Sequence, residues 1–208
     1  MNRPPDTIRA FVALPAGPEL LEALLRLQQQ LAGRMPVKAV RWSRRDQLHL
    51  TLKFLGNVPT NRVAELTAAL RSAVVGFAPM RLRVEGTGAF PDFLRPRVVW
   101  AGVTGELDQL ALLQRRVETA TAPFGDHQEA RSFQPHLTLG RVTATGHAAR
   151  EAGLALEAMR VGVVGEWPAN EVRLIRSQLA AAGASYSDLA RLPLTRADAG
   201  FRPRTDVS

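Results

Sequence analysis

One tetrapeptide occurs twice in the chain, and both copies carry groups that can do chemistry. His-Leu-Thr-Leu stands at residues 49–52 and again at 136–139. Side chains alternate between the two faces of a strand, so each copy places an imidazole and a hydroxyl on one face and two leucines on the other. A single His-x-Thr on a strand is most often a half-buried pair without function. Its recurrence on a second predicted strand favours a functional pair.

Two such strands facing across a groove would bring two imidazoles and two hydroxyls around one small volume. Imidazole titrates near neutral pH, so one ring can accept a proton from water while the other protonates a leaving oxygen. The hydroxyls of Thr51 and Thr138 can donate hydrogen bonds to the non-bridging oxygens of a phosphate as negative charge develops there. The set suits hydrolysis of a phosphodiester by His49 and His136 without a metal ion.

Other catalytic designs fit the sequence less well. The chain has no cysteine, which excludes disulfides, cysteine-ligated zinc, iron–sulfur clusters and thiol nucleophiles. Neither tetrapeptide has a third metal ligand nearby, and the chain lacks a Gly-x-Ser-x-Gly elbow and a P-loop. We therefore predict neither a metal nor a cofactor. The other two histidines, His127 and His147, lie in polar stretches, and we interpret them as exposed bystanders.

Residues next to the tetrapeptides could add cations or stacking surfaces. Lys53 has the parity of His49 and Thr51, so we predict it on their face of the strand. Arg141 points away from His136 by strict alternation, unless a bulge at the strand end turns it toward the phosphate. Several aromatic residues could stack on a base, although most are expected in the core: Phe11, Trp42, Phe54, Phe90, Phe93 and Tyr186. We count Phe11, Phe54, Lys53 and Arg141 as candidate substrate contacts.

The charge of the chain indicates a class of partner. There are 27 basic and 19 acidic residues, a net charge of +8, and all the basic residues except Lys38 and Lys53 are arginine. The planar arginine fork suits phosphate oxygens, and a basic balance favours a polyanion such as RNA. An arginine-rich solvated surface explains the same count equally well.

The sequence also indicates where the protein acts. No apolar run approaches the ~20 residues of a membrane span, and residues 1–5 lack the apolar core of a signal peptide. We expect a cytoplasmic protein without membrane contact, and a monomer.

The elements that must position the histidines alternate between strands and helices. We predict strands at 7–14, 39–42, 47–55, 80–85, 98–103, 135–142, 161–164, 171–179 and 186–194, and helices at 19–31, 60–75, 107–121 and 148–156. Each half holds one His-Leu-Thr-Leu strand and helices of similar length. The duplication indicates an α+β fold of two lobes, each with a mainly antiparallel sheet covered by helices. We assign 1–195 to a single bilobal domain and 196–208 to a flexible tail.

Five blocks of the chain resemble the two-histidine phosphoesterases and, within them, the LigT-like RNA 2′,3′-cyclic phosphodiesterases. The blocks are residues 9–14 (RAFVAL), 49–56 (HLTLKFLG), 96–100 (PRVVW), 133–141 (FQPHLTLGR) and 172–177 (VRLIRS). Each block alone is modestly specific, but their order and joint presence are highly specific. The resemblance covers most of the chain and implies two lobes related by a pseudo-twofold axis through a water-filled active-site cleft.

The resemblance also implies a reaction, the hydrolysis of a 2′,3′-cyclic phosphate end of RNA or of a nucleotide to a 2′-phosphomonoester. His136 would be the proton acceptor that activates water, and His49 the proton donor to the departing 3′ oxygen. Thr51 and Thr138 would hold the phosphate, with Arg141 assisting. Some relatives also join transfer RNA halves through a 2′–5′ linkage in the reverse direction.

Two alternatives stay open from the sequence. One is a non-catalytic module that binds RNA ends in the same cleft. The other is a sibling phosphodiesterase that acts on another cyclic phosphate or on 2′–5′ oligonucleotides, because fold and motif together do not determine the substrate.

Overall fold

The computed structural model describes residues 6–126, 132–180 and 183–196. The strands are β1 (Thr7–Pro15), β2 (Val40–Trp42), β3 (His49–Pro59), β4 (Met80–Phe90), β5 (Val98–Gly105), β6 (His136–Val142), β7 (Val163–Ala169), β8 (Glu171–Ala180) and β9 (Gly183–Pro193). The helices are α1 (Pro18–Ala32), α2 (Val63–Val74), α3 (Leu107–Thr121) and α4 (Gly146–Ala158). Within the described chain, no helix is long and apolar enough to cross a bilayer. His127 and the predicted tail beyond residue 196 lie outside the described residues.

The nine strands form one sheet with an internal symmetry. Its order is β7-β4-β5-β6-β3-β1-β8-β9, with β2 paired to β6 beside this path. All strand pairings are antiparallel. Outward from the central β6 and β3, the strands β5, β4 and β7 on one side correspond to β1, β8 and β9 on the other. The predicted α+β fold with mainly antiparallel strands is confirmed, and the halves meet where the two tetrapeptides pair.

The helices and one face of the sheet enclose a single large core. The leucines of both tetrapeptides belong to the same buried cluster as four leucines of α1, which are Leu20, Leu24, Leu27 and Leu31. Leu50 and Leu137 are completely buried. Each buried leucine contributes about 1.5–3 kcal/mol relative to an exposed one, so this face anchors the strands firmly. The opposite face carries the polar side chains of the tetrapeptides together with a small second apolar cluster of Phe11, Ala13 and Ile175.

Two strands run through glycines at which the sequence predicts that they end. β3 continues through Gly56 to Pro59 because its backbone keeps antiparallel partners on β1, and Gly56 accommodates a register shift there with φ 71°. β4 continues through Gly88 to Phe90, where a loop was predicted, because it pairs with β5 along this length. In these strands glycine therefore marks close packing or irregular pairing and does not end the strand.

Candidate active site

The two tetrapeptides pair with each other at the centre of the sheet. β3 and β6 are joined at Leu50↔Leu137, antiparallel. In an antiparallel pair the residues on either side of a matched pair also face one another, so His49 lies opposite Thr138, and Thr51 lies opposite His136. Both leucines point into the core, and the four polar side chains therefore share the other face. The structure brings together the four residues predicted to do the chemistry.

His49 lies among aromatic rings of its own half of the sheet. Phe11 stacks on the imidazole at 4.9 Å between ring centroids and an interplanar angle of 22°. Tyr186 contacts it edge to face at 5.7 Å and touches Phe11 at 5.0 Å. Burial among these rings lowers the pKa of His49 to about 4, and the nearby Asp46 carboxylate opposes that effect only in part. His49 is thus neutral at physiological pH in the free protein.

The far end of the β8–β9 hairpin is fastened beside His49. The Arg44 guanidinium and the Gln47 amide both donate hydrogen bonds to the Ala184 carbonyl, at 2.6 and 2.9 Å. Two residues further along β9, Tyr186 reaches the imidazole of His49. The loop between β2 and β3 and the β8–β9 hairpin together build the wall that covers His49.

His136 is held by the backbone carbonyl of Gln134 and by a second pair of aromatic rings. Its Nδ1 lies 2.7 Å from the Gln134 carbonyl oxygen, which can only accept, so Nδ1 carries the hydrogen. In the neutral ring Nε2 is then the nitrogen that can accept a proton. Phe90 meets the ring edge to face at 5.0 Å, and Trp100 lies at 6.3 Å. A Cβ on Gly88 would lie 2.1 Å from Trp100, so the indole lies directly on the glycine backbone.

A bulge at the last residue of each tetrapeptide changes which of the following residues face the cleft. Against β5, the register of β6 passes from Thr138 to Gly140, omitting Leu139. Against β1, the register of β3 passes from Thr51 to Lys53, omitting Leu52. The bulge that Arg141 needs is present, and the guanidinium stands on the face of Thr138.

The same bulge shows that the parity prediction for Lys53 is wrong. The Lys53 side chain points to the helix layer and is 7% exposed. Its ammonium lies 2.7 Å from the Glu118 carboxylate and donates to the Glu118 carbonyl on α3 at 3.2 Å. Strict alternation fails because the extra residue, Leu52, turns the following side chain over. Lys53 therefore forms a structural ion pair with Glu118, on the face of the sheet opposite His49.

The two candidate aromatic contacts differ in exposure. Phe54 is 49% exposed, lies 6.0 Å from the Phe11 ring, and occupies the position in β3 that Arg141 occupies in β6, five residues after the histidine. Phe11 is 3% exposed. It therefore supports His49 rather than presenting a face to a ligand, which corrects its predicted place among the substrate contacts.

The rim of the cleft near His49 carries three arginines and one carboxylate, so its balance is basic. Burial raises the pKa of the Tyr186 hydroxyl and Asp46 adds to this, whereas Arg141, Arg44 and Arg9 lie close enough to lower it in part. Arg44 is paired with Asp46 at 3.3 Å. No carboxylate pairs with Arg9 or Arg141 among the residues that the structure describes. Such a rim attracts anions. Arg9, Arg44 and the covering role of Tyr186 were not predicted, because they arise from contacts between distant parts of the chain.

Outside the cleft, the structure describes one more histidine that the sequence analysis considered. His147 is 92% exposed on α4, beside Glu151, as predicted. In the described ranges no three histidine, aspartate or glutamate side chains come together as a metal site would need.

Comparison with known proteins points to one family. Residues 14–100 match the family model described as LigT-like phosphoesterase. Proteins named RNA 2′,3′-cyclic phosphodiesterase are similar to this chain: that of Methanothermobacter thermautotrophicus is 32% identical over 88% of this chain and 96% of its own. The one from Archaeoglobus fulgidus is 33% identical over 88% and 98%. The structure of E. coli LigT complexed with 3′-AMP is 27% identical, with a TM-score of 0.73, and covers 92% of this chain and 100% of that one.

Proposed function

The chain belongs to the LigT-like phosphoesterase family, and from this premise we propose that it hydrolyses the 2′,3′-cyclic phosphate at the end of RNA or of a nucleotide to a 2′-phosphomonoester. The observation that carries the proposal is the antiparallel pairing at Leu50↔Leu137, which sets two histidines and two threonines around one centre. The name shared by its relatives supports the cyclic phosphate as substrate.

The phosphate is proposed to lie between β3 and β6, on the face away from the helices. The Thr51 and Thr138 hydroxyls donate hydrogen bonds to its non-bridging oxygens, and Arg141 adds a guanidinium. Donors that are already in position cost no reorganisation as negative charge develops on these oxygens, which lowers the barrier.

His136 is proposed to be the proton acceptor. The hydrogen bond from its Nδ1 to the Gln134 carbonyl holds the ring in one orientation and favours the tautomer with a lone pair on Nε2. Nε2 removes a proton from water as the water oxygen attacks phosphorus. The bond from phosphorus to the 3′ oxygen breaks, and the phosphate remains on the 2′ oxygen.

His49 is proposed to protonate the departing 3′ oxygen, although its pKa of about 4 leaves it neutral in the free protein. A negative charge about 4 Å away stabilises the imidazolium by about 4 kcal/mol at an effective dielectric constant of 20. That energy raises a pKa by about three, which brings His49 close to 7. The substrate phosphate thus supplies the charge that makes His49 a proton donor.

Two features favour an enzyme over a module that only binds RNA ends. Binding an anion needs cations more than titratable rings, and the centre of the site has two imidazoles. Their surroundings also differ, His49 being desolvated and His136 bonded to a carbonyl, as a division between acid and base requires. Reverse 2′–5′ ligation would use the same groups and remains a prediction.

The proposal is tested with a 2′,3′-cyclic mononucleotide and phosphorus NMR in the presence of EDTA. We expect a 2′-phosphomonoester as the product and full activity with the chelator. His49→Ala and His136→Ala should each lower kcat by about 10²–10⁴-fold, the usual contribution of a general acid or base. His147→Ala is the matched control, because this histidine is exposed on α4.

Three outcomes would contradict parts of the proposal. Loss of activity with EDTA excludes a metal-independent mechanism. A 3′-phosphate product reverses the assigned leaving group. Tight, salt-sensitive binding of the cyclic nucleotide without any product would favour the binding module.

A further inference from the structure

A second arginine lies directly beside Arg141 on the cleft face. β2 pairs with β6 at Arg41↔Arg141, so both side chains project from the same face of the sheet. The neighbouring Val40 is buried in the core on the opposite face. Arg41 and Arg141 are both exposed.

This arrangement is unfavourable unless an anion joins it. Like charges directly opposite each other on adjacent strands destabilise a sheet. Nowhere in residues 6–126, 132–180 and 183–196 does a carboxylate pair with Arg41 or Arg141. Some arginines on other strands do have carboxylate partners, such as Arg83 with Glu166 and Arg173 with Glu171. Two unpaired guanidinium groups side by side form a site for phosphate oxygens.

The position of Arg41 separates it from the reacting centre. Arg141 lies three residues after Thr138 on β6, and one of these residues is taken up by the bulge. The other two advance the strand by about 7 Å at 3.3 Å per residue. Arg41 starts one strand, about 4.8 Å, to the side of Arg141. It is therefore placed beyond His49 and Thr138, at a distance comparable with the length of one nucleotide.

We infer that Arg41 binds the phosphodiester on the 5′ side of the terminal nucleotide, so that the protein acts on the end of an RNA strand in preference to a free cyclic nucleotide. This inference rests on the proposed function of the cleft. Arg141 stands between the two phosphates, and Arg41 is a specificity-determining residue that does not touch the reacting one.

The test compares Arg41→Ala with the wild type on three substrates. They are adenosine 2′,3′-cyclic phosphate, the dinucleotide ApA with a 2′,3′-cyclic phosphate end, and the same dinucleotide with an uncharged methylphosphonate between its nucleosides. We expect Arg41→Ala to lower kcat/KM about tenfold on the charged dinucleotide, the effect of one solvent-screened charge-assisted hydrogen bond. The other two substrates should change less than twofold.

The salt dependence and a control variant sharpen the test. On the charged dinucleotide, the slope of log kcat/KM against log salt should become shallower by about 0.7, the value for one phosphate contact to a single strand. Arg71→Ala is the matched control, because it removes the same charge from α2, whose buried face packs into the core opposite the cleft. It should leave all three substrates and the slope unchanged.

Two results would overturn the inference. An equal loss on the mononucleotide would place Arg41 at the reacting phosphate, and no loss on the charged dinucleotide would mean that Arg41 binds no phosphate. If the wild type hydrolysed none of the substrates, the proposed function would fail. The inference would then be decided by equilibrium binding of the charged and methylphosphonate dinucleotides to wild type and Arg41→Ala, where equal affinities would refute it.

Discussion

The ionisation of His49 gives a sharp prediction, because its two states have different environments. In the free protein the ring is stacked on Phe11 and covered by Tyr186, and its pKa falls from 6.5 to about 4. This difference corresponds to about 3 kcal/mol against the imidazolium. We expect the imidazole of His49 to remain neutral as the pH falls from 8 to 5.

Binding of product should reverse this effect. In the proposed mechanism, a nucleoside 2′-monophosphate would place a phosphate where the cyclic phosphate reacts, about 4 Å from the ring. One negative charge at that distance contributes about 4 kcal/mol at an effective dielectric constant of 20. The pKa of His49 should therefore rise to about 7 when product is bound. The same ring would pass from neutral to mostly protonated at pH 6 on addition of the ligand.

Nitrogen and carbon NMR of histidine-labelled protein measures both states directly. The His49 signals are assigned by their loss in His49→Gln, and the His147 signals, from an exposed ring on α4, serve as internal reference. A midpoint near 6.5 in the free protein would refute the desolvation argument. A midpoint that stays near 4 with product bound would refute the substrate-charge argument, and His49 could not then be the proton donor.

Two further predictions follow from buried groups. His49 takes up a proton below pH 6.5 in the unfolded chain but only near pH 4 in the folded protein. The free energy of unfolding therefore decreases as the pH is lowered through this window. Between pH 7 and 4.5, urea denaturation should show the wild type losing about 2.5 kcal/mol more than His49→Gln; equal losses would contradict the lowered pKa. For the second, Lys53→Met should keep kcat within twofold because Lys53 faces α3, whereas Glu118→Ala should cost about 1–2 kcal/mol of unfolding free energy by leaving a buried ammonium unpaired. A large loss of kcat in Lys53→Met with normal stability would contradict the placement of Lys53 against α3 and would indicate that it faces the cleft.

The centre of the site could be predicted from the sequence because it depends on local rules. Alternation along a strand groups His49 with Thr51 and His136 with Thr138, and the duplication indicates that the two copies face one common site. The element order was likewise readable, since the apolar periodicities of strands and helices are strong in this chain. The α+β architecture and the four central residues follow from these signals alone.

Residues beyond the tetrapeptides were harder to predict because bulges and distant contacts place them. The bulges at Leu52 and Leu139 move Lys53 away from the cleft and bring Arg141 into it. Leucine is an ordinary strand residue, so the sequence at these positions does not indicate a bulge. Tyr186 and Arg41 reach the site through the β8–β9 hairpin and the β2–β6 register, which the sequence nearby does not encode.

The two halves of the site are equal in sequence at the tetrapeptides and unequal in their surroundings. Two imidazoles in identical environments would share one pKa and give no preferred direction of proton transfer. Here Phe11 and Tyr186 desolvate His49, while the Gln134 carbonyl orients His136. Five residues after each histidine, one half presents the phenyl ring of Phe54 and the other a guanidinium. The pairing of β3 and β6 therefore brings the groups together, and in the proposed mechanism residues outside the repeat decide which ring gives a proton and which takes one.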